Sequence, residues 1–466
     1  MFCETGRDAY PTDGLRLMSR VKIAVGKALG DKPLGTAVLK SCLLSSDKRN
    51  STIAELEDYE ALRKQARAIR ERSLDRLDEL LNRFKQSFIS AGGTVHIAAD
   101  ANQACVIVLD ILKKRNAKQG VKSKSMVSEE IGLGGSLKHH GIDAVESDLG
   151  EFIVQLAGEP PSHITAPALH RSKESIGRLL ADKLKFPYTS DPATLTKVAR
   201  GHLRERFLKA EFGIAGANFL VADSGHIVLV ENEGNGRMGF SLPPLFISIT
   251  GIEKLIGNLP ELSPLLRLLA RSATGQRFST YTSLIRPTQP GEDGPKEMHV
   301  VLVDNGRRQA LADPQMKEML LCIRCGACLN ICPVYRSVGG HAYISVYPGP
   351  MGAVWSNLVG RPSVEKSELA DLSTLCGACK EVCPVNIDIP RMLLELRDRR
   401  EKPRIEQMAA SAWSWVMEDP KRYERMGKLA RTTGVLLPNG FAGGWLATGH
   451  AAFRDSIRKT DEGADE

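Results

Sequence analysis

Two short cysteine-rich segments carry the residue types best suited to metal chemistry. The first reads CIRCGACLNICPV and spaces its cysteines as C-x2-C-x2-C-x3-C-P, from Cys322 to Pro333. The second reads CGACKEVCPV and follows C-x2-C-x3-C-P from Cys376 to Pro384. In bacterial ferredoxins the first spacing places three thiolates on one [4Fe–4S] cluster and the fourth on another cluster. The two segments therefore predict iron–sulfur chemistry.

The segments resemble an internal duplication in which one ligand is missing. CGACLNICPV and CGACKEVCPV agree at seven of ten positions at an offset of 51 residues, which aligns Cys322 with Ser373. Crossed ligation, as in two-cluster ferredoxins, predicts two sets of thiols: Cys322, Cys325, Cys328 and Cys383 for a first cluster, and Cys332, Cys376 and Cys379 for a second. The fourth corner of the second cluster is then open, or is filled by Ser373, water or another group such as His341.

Structural zinc is the alternative interpretation, because C-x2-C pairs also suit a tetrahedral zinc ion. Seven cysteines with two C-x3-C-P ends fit zinc sites poorly, and they favour iron–sulfur clusters. Pro333 and Pro384 agree with this interpretation, because proline stops a helix and turns the chain away just past a ligand.

The composition is that of an ordinary globular protein. The chain has 466 residues, of which 42% are hydrophobic and 25% charged, and this length predicts two to four domains. The net charge of +8 is spread among interleaved acidic and basic residues, which gives no support to nucleic acid binding.

The cysteine usage predicts a reducing compartment. Outside the two segments lie only Cys3, Cys42 and Cys105, which form no disulfide framework, and thiolates that bind iron must stay reduced. The start of the sequence has no signal-peptide pattern, so we expect a cytoplasmic protein. Proline and glycines interrupt the apolar stretch 432–453, so it is a poor spanning helix, although peripheral membrane contact, directly or through partners, stays open.

The middle of the chain has the alternating pattern of an α/β domain. Strands are predicted at TVHIAA (94–99), DAVESD (143–148), EFIVQLAG (151–158), PLFISITG (244–251) and MHVVLVDN (298–305), with a hairpin in 217–235 and helices between them. This alternation indicates a largely parallel sheet. We expect an N-terminal extension (1–50), a helical brace (51–90), the α/β domain (91–305), a two-cluster domain (306–395) and a C-terminal helical segment with a flexible tail (396–466).

Three side chains of the α/β domain are candidates for binding an anion or substrate: Lys122, Lys124 and His163. The two lysines follow a glycine and lie where a strand would end, and the histidine lies in a proline-bounded loop. The glycine- and asparagine-rich loops GIAGAN (213–218) and NEGNGR (232–237) follow strands, where open α/β sheets bind ligands. The alternative is that the lysines are solvated charges and the loops are ordinary turns. No nucleotide-binding or hydrolase motif is present, and no catalytic residue is assigned.

Several stretches together resemble the lactate utilisation protein B family. They are KSKSMVSEEIGL, ESDLGEFIVQLAGEPPSHITAPALH, GIAGANFLVADSGHIVLVENEGN, CGACLNICPVYRSVGGHAYISVYPGPMGAV and LCGACKEVCPVNIDIP, and the resemblance covers about residues 55–420. It implies a LUD-type α/β domain, similar to sugar-phosphate isomerase and CoA-transferase folds, followed by a mostly helical ferredoxin-like domain with two [4Fe–4S] clusters. The family pattern also has three cysteines for the second cluster, matching Cys332, Cys376 and Cys379.

The resemblance implies an electron-transfer subunit in the oxidation of L-lactate to pyruvate, part of a lactate dehydrogenase complex that supports growth on lactate. The implied partners are a cysteine-rich subunit and a second LUD-type subunit. Two alternatives come from other functional classes. One is an iron–sulfur redox sensor, and the other is a LUD-fold transferase or isomerase with accessory clusters.

Overall fold

A six-stranded parallel sheet lies at the centre of the α/β domain in the computed structural model. The strands are β1 (Thr94–Ala98), β2 (Gln119–Lys122), β3 (Asp143–Glu146), β4 (Phe212–Ala215), β5 (Phe219–Val221), β6 (His226–Glu231), β7 (Leu245–Gly251), β8 (Leu255–Ile256), β9 (Tyr281–Ile285) and β10 (Glu297–Val303). The six-stranded sheet has the order β1-β10-β7-β4-β2-β3, and a four-stranded sheet has the order β8-β5-β6-β9. The predicted α/β class with a parallel sheet is confirmed.

The structure describes residues 19–288, 292–360, 363–400 and 404–433. Cys3 and the part of the glycine-rich stretch beyond residue 433, with the predicted flexible tail, lie outside the described residues.

The central strands of the six-stranded sheet are almost entirely buried. All seven residues of β7 are buried, as are six of the seven in β10. The two strands pair in parallel with Phe246 opposite Met298. Burial along the whole length of a strand is typical of parallel sheets that are covered on both faces.

Helices surround the sheet and form the cysteine-bearing part of the chain. Those before residue 305 are α1 (Arg20–Gly30), α2 (Lys32–Ala54), α3 (Tyr59–Asp75), α4 (Leu77–Ser90), α5 (Ala101–Lys114), α6 (Met126–Glu130), α7 (Leu133–His139), α8 (Leu149–Ala157), α9 (Lys173–Leu184), α10 (Pro192–Leu208), α11 (Asn235–Ser241) and α12 (Leu262–Thr274). Those after it are α13 (Arg307–Ala312), α14 (Ala327–Ile331), α15 (Pro333–Val338), α16 (Gly349–Leu358), α17 (Val364–Glu368), α18 (Ala378–Glu381), α19 (Ile389–Arg399), α20 (Arg404–Met417) and α21 (Pro420–Thr433).

The strand predicted at residues 151–158 is wrong, because this segment belongs to helix α8. Asp148 caps the helix by accepting a hydrogen bond from the Glu151 amide, and Gly158 ends it in the left-handed conformation at φ 69°. Phe152, Ile153 and Val154 are buried on the helix. Three successive apolar residues suit a buried helix as well as a buried strand, so the capping residues decide between them.

The first two helices pack against the cysteine-bearing part of the chain. Helix α2 lies against α14 and α15, and α1 lies against α15. Arg49 of α2 donates to the Val382 carbonyl at 2.9 Å, and Arg63 of α3 donates from Nε to the Cys383 carbonyl at 3.0 Å. The helices before the α/β domain therefore hold the second cysteine segment in place.

Residues 1–399 and 400–466 form separate units. In the second unit, α20 packs against α21, and the Arg422 guanidinium lies over the Trp415 ring at 4.6 Å. Within the described part of the chain, no helix has the length and apolar character needed to cross a membrane.

Candidate metal centres and the adjoining cavity

Four thiols from the two cysteine segments line one cavity. Cys322, Cys325 and Cys328 come from the first segment, and Cys383 comes from the second. Much of the remaining wall is apolar and includes Ile164 and Met351. The structure thus brings together the four cysteines that crossed ligation assigns to the first cluster.

Burial makes these side chains poor free thiolates. It raises the pKa of Cys325 to about 12 and that of Cys383 to about 11, with further raising of both by neighbouring Cys322. A buried thiolate needs a compensating positive charge, and a metal centre supplies one by displacing the proton.

The other three thiols form a second group. Burial raises the pKa of Cys379 to about 12, and the charges of Cys332 and Cys376 raise it further. Cys376 is exposed, whereas Cys332 and Cys379 are buried. Cys328 of the first group also interacts with Cys379 electrostatically, so the two groups are neighbours.

Ser373 lies in the same backbone setting as its counterpart Cys322. The Ser373 hydroxyl accepts a hydrogen bond from the Leu375 amide at 3.1 Å, and the Cys322 thiol accepts one from the Arg324 amide at 3.4 Å. Leu375 and Arg324 both have positive φ, 56° and 62°. The other candidate for the fourth corner, His341, has its Nε2 2.8 Å from the Pro160 carbonyl oxygen.

The donor set fits iron–sulfur clusters. Seven thiols lie in two neighbouring groups, and four of them surround a largely apolar cavity. Backbone amides donate hydrogen bonds to several sulfurs. The Ala327 amide donates to Cys325, and the Val385 and Ile387 amides donate to Cys383. Such hydrogen bonds to sulfur tune a cluster. Among the described residues, no three His, Cys, Asp or Glu side chains gather as they would around a single ion.

A second, larger cavity of about 290 Å³ lies at the carboxyl ends of strands β2, β4 and β7. Both predicted loops contribute to its wall, the first through Gly216 and Asn218 and the second through Asn232 and Asn235. Carboxyl ends of parallel strands are where open α/β sheets bind ligands.

The two cavities share part of their walls. Ile164, Arg324 and Tyr347 line both. The Arg324 guanidinium lies 3.5 Å from the centre of the Trp355 ring and 4.5 Å from that of the Tyr347 ring. The cavity of the α/β domain therefore lies one layer of side chains from the first group of thiols.

The three side chains proposed from sequence have different surroundings. Lys122 is buried and pairs with Glu129 at 3.0 Å and, more closely, with Glu146, so it is neither solvated nor available to a ligand. Lys124 lines the larger cavity. His163 is buried, and its Nε2 lies 3.2 Å from Asn330 Oδ1. Only Lys124 of the three faces the cavity.

Sequence reasoning missed Lys254 and Arg324, which also line the larger cavity. Lys254 ends a 3-10 helix (Ile252–Lys254) that follows β7 directly. In a sequence, a lysine just after the carboxyl end of a hydrophobic strand indicates a ligand site in an open α/β sheet. Arg324 lies inside the first cysteine segment, and nothing in the spacing of the ligands distinguishes it.

Comparison with known proteins matches both parts of the chain. Residues 81–303 match the LUD domain family, and residues 318–387 match the 4Fe-4S dicluster domain family. The chain is 41% identical over 412 residues to lactate utilization protein B of Bacillus cytotoxicus, with 87% of each chain covered. It is 43% identical over 391 residues to the protein of that name from Bacillus velezensis, with 82% of each covered.

A solved structure, that of a DUF162 family protein from Deinococcus radiodurans, matches 49% of this chain and 98% of its own chain. The sequence identity is 12% and the TM-score is 0.29.

Proposed function

The chain belongs to the lactate utilization protein B family, and on this basis we propose that it is the iron–sulfur electron-transfer subunit of a system that oxidises L-lactate to pyruvate. The single observation that carries the proposal is the grouping of seven thiols into two neighbouring sets beside the α/β cavity. The relatives' printed name supports the link to lactate.

In this proposal Cys322, Cys325, Cys328 and Cys383 hold one [4Fe–4S] cluster, and Cys332, Cys376 and Cys379 hold another. Ser373 is the proposed fourth ligand of the second. Each cluster accepts one electron at a time, so two clusters match the electron pair that a 2-hydroxy acid releases on oxidation.

The side chains around the thiols exclude water and set the local charge. Met351, Ile387 and Ile389 line the first cavity, and the guanidinium of Arg324 lies beside them. Apolar cover controls the access of water to the centre, and nearby positive charge stabilises a centre with net negative charge.

Companion proteins complete the proposed system: a cysteine-rich subunit and a second LUD-type subunit. No flavin or nicotinamide motif is present in this sequence, so we propose that the initial two-electron oxidant lies on a companion. The dependence on thiolate ligands places the system in a reducing compartment.

The test of the cluster assignment is metal analysis of the chain purified without oxygen. We expect about eight irons and eight sulfides per chain, the content of two four-iron clusters. The control is the same chain with all seven segment cysteines replaced by alanine, which should bind no iron. Stoichiometric zinc without absorbance near 400 nm would contradict the proposal.

A further inference from the structure

Two lysines face the larger cavity without a partner. Lys254 is 5% exposed and Lys124 is partly buried, and both line the cavity wall. Across the described residues, neither ammonium group makes a hydrogen bond or ion pair with the protein. A buried ammonium group without a partner is unfavourable in an otherwise folded chain. Burial lowers the pKa of Lys254 to about 7, and an anionic ligand in the cavity would favour its charged form.

The carboxylates of the same wall are already engaged by backbone amides. Glu231 accepts from the amides of Gly236 and Arg237 at 2.6 and 2.8 Å, Glu233 from that of Leu149 at 3.2 Å, and Asp148 from that of Glu151 at 3.1 Å. These carboxylates shape the loops around the cavity, and Asp148 and Glu233 also attract Lys124 electrostatically without forming a direct ion pair with it.

The carboxylate next to Lys254 in sequence is also engaged. Glu253 accepts from Arg307 at 2.6 Å, and Arg307 is shared with Glu130 at 2.8 Å. Arg324 lies 3.7 Å from Glu253, and one of its terminal nitrogens is buried without a hydrogen-bond partner. That nitrogen is the one that faces Glu253, so the wall between the two cavities contains a further cationic side chain held beside a carboxylate.

The charge balance of the wall favours a singly charged ligand. Lys124, Lys254 and Arg324 are matched in number by Asp148, Glu231 and Glu233. The three carboxylates would repel a doubly charged phosphate more strongly than a singly charged ligand. A monocarboxylate needs positive charge at only one end of the cavity. The planar guanidinium also suits a carboxylate, which it can bind with two parallel hydrogen bonds.

We propose that this cavity binds a small 2-hydroxy or 2-oxo monocarboxylate, whose carboxylate is received by Lys254 and Arg324, with Lys124 as a further cation in the cavity. The identity of the acid rests on the proposed function, while the presence of an anion site rests on the cavity itself. The ligand would lie against Arg324 and Tyr347, the side chains that also wall the first group of thiols.

The test is calorimetric titration of the anaerobically purified full chain with sodium pyruvate, L-lactate and inorganic phosphate. We expect saturable binding of pyruvate or L-lactate, with phosphate weaker. Lys254→Met should weaken the carboxylate binding about tenfold or more, because a hydrogen bond to a charged group is lost. The matched control is Lys138→Met, at an exposed lysine of α7, which should bind like the wild type.

A second measurement separates loss of binding from loss of folding. Removal of an unpartnered buried charge should leave the thermal midpoint and the iron content of Lys254→Met at or above their wild-type values. Lys124→Met, at a less buried position, should weaken the same binding with the fold intact.

Three results would overturn the proposal: wild-type affinity in Lys254→Met, tighter binding of phosphate than of either carboxylate, or no binding of either carboxylate. Because the titration uses this chain alone, such a result leaves the electron-transfer proposal standing. Conversely, failure of electron transfer in the assembled system leaves the binding result standing.

Discussion

Ser373 repeats the local structure of Cys322, a proposed cluster ligand. The glycines that follow the two positions, Gly326 and Gly377, have φ of 80° and 88°, and the positive-φ residues before them match as well. The duplication seen in the sequence is thus preserved in the backbone, and the serine hydroxyl lies where the first segment has a thiol. The sequence offset identifies this correspondence without any structure.

Ser373→Cys should make the second cluster more resistant to air. Thiolate is a softer and better iron ligand than a serine hydroxyl, so the variant would hold the fourth corner more strongly. We expect the wild type to lose one iron in air and give the resonance of a three-iron cluster, and the variant to keep its iron longer. Electron paramagnetic resonance during timed air exposure measures this, with Ser363→Cys as an off-site control. Equal rates of iron loss would show that Ser373 does not face the cluster.

Cys383→Ala should remove the first cluster although Cys383 lies in the second segment. The decisive measurement is iron content in paired double variants. Adding Cys325→Ala to Cys383→Ala should cause little further loss, because both ligate the same cluster, whereas adding Cys376→Ala should remove the remaining iron. Because iron losses are non-additive when two cysteines ligate the same cluster, the double variants show which cysteines share a cluster. The reverse pattern would mean that each segment ligates its own cluster.

His163 should give the folded chain a specific dependence on pH. Burial, aided by the charge of Lys124, lowers its pKa to about 3, and its Nδ1 accepts from the amides of Thr165 and Ala166 at 3.1 and 3.2 Å. The ring stays neutral when folded, but the unfolded chain takes up the proton below pH about 6.5. Its contribution to stability is therefore complete above that pH and decreases below it, by up to about 1.4 kcal/mol per pH unit.

His163→Gln should flatten this dependence, because glutamine cannot be protonated. The apparent urea midpoint of the anaerobic chain, measured between about pH 7.5 and 5.5, should fall less steeply in the variant than in the wild type. His202→Gln, at an exposed histidine of α10, is the matched control. Parallel curves for His163→Gln and the wild type would show that His163 takes up its proton equally in the folded and the unfolded chain, which contradicts the prediction.

Some residue environments follow from sequence and others do not. The seven cysteines can be identified from the sequence because their spacing is characteristic of iron–sulfur ligation. Lys122 is predicted from sequence to bind an anion, but Glu146 of the paired strand β3 and Glu129 of α6 surround it. Lys254 and Arg324 meet at one cavity although 70 residues separate them in sequence. Local patterns carry no information on such long-range pairings.

At the scale of elements, most of the sheet is predictable because β-branched runs alternate with helices. The error at α8 has a physical cause: Phe152, Ile153 and Val154 are favourable in a buried strand and in a buried helix. The helix is specified by Asp148 at its start and Gly158 at its end, which were available in the sequence. For distinguishing a helix from a strand in this segment, the capping residues are more informative than the short apolar run.

Helix α3 joins the α/β domain to the cysteine-bearing part through one buried arginine. Arg70 is 1% exposed and donates to the carbonyls of Leu255 at 3.1 Å and Leu320 at 2.9 Å, and also to that of Glu253. Leu255 belongs to β8, whereas Leu320 precedes the first cysteine segment. Three carbonyls that would otherwise be buried without donors are thus satisfied.

Arg70→Met should destabilise the chain by about 2–4 kcal/mol, because it leaves these buried carbonyls unpaired. Urea unfolding of the iron-loaded chain without oxygen measures the shift. The control is Arg72→Met on the same helix, where the side chain is 57% exposed and its ion pair with Glu261 is 3.4 Å long, so the change should stay below about 1 kcal/mol. Equal effects of the two variants would contradict the bridging role of Arg70.

At the scale of the whole molecule, the described residues up to 399 form one unit that contains both cysteine segments. One hydrophobic core contains Val38 and Cys42 of α2, Leu265 of α12, and Cys325 and Cys332 of the first segment. The sequence predicts the helices of the brace but not this shared core. Amphipathic periodicity shows that a helix has an apolar face without showing what covers it.

The most direct test of the central claim is reduction of the clusters by lactate. The chain, purified without oxygen, is mixed with its two proposed companion proteins and L-lactate, and electron paramagnetic resonance records the reduced clusters. Mixtures that lack each companion, or that contain D-lactate, are the controls, and dithionite gives the fully reduced reference. Our account predicts cluster reduction only in the complete mixture with L-lactate, and pyruvate formed in step with it. Clusters that dithionite reduces but that L-lactate leaves oxidised in the complete mixture would contradict it.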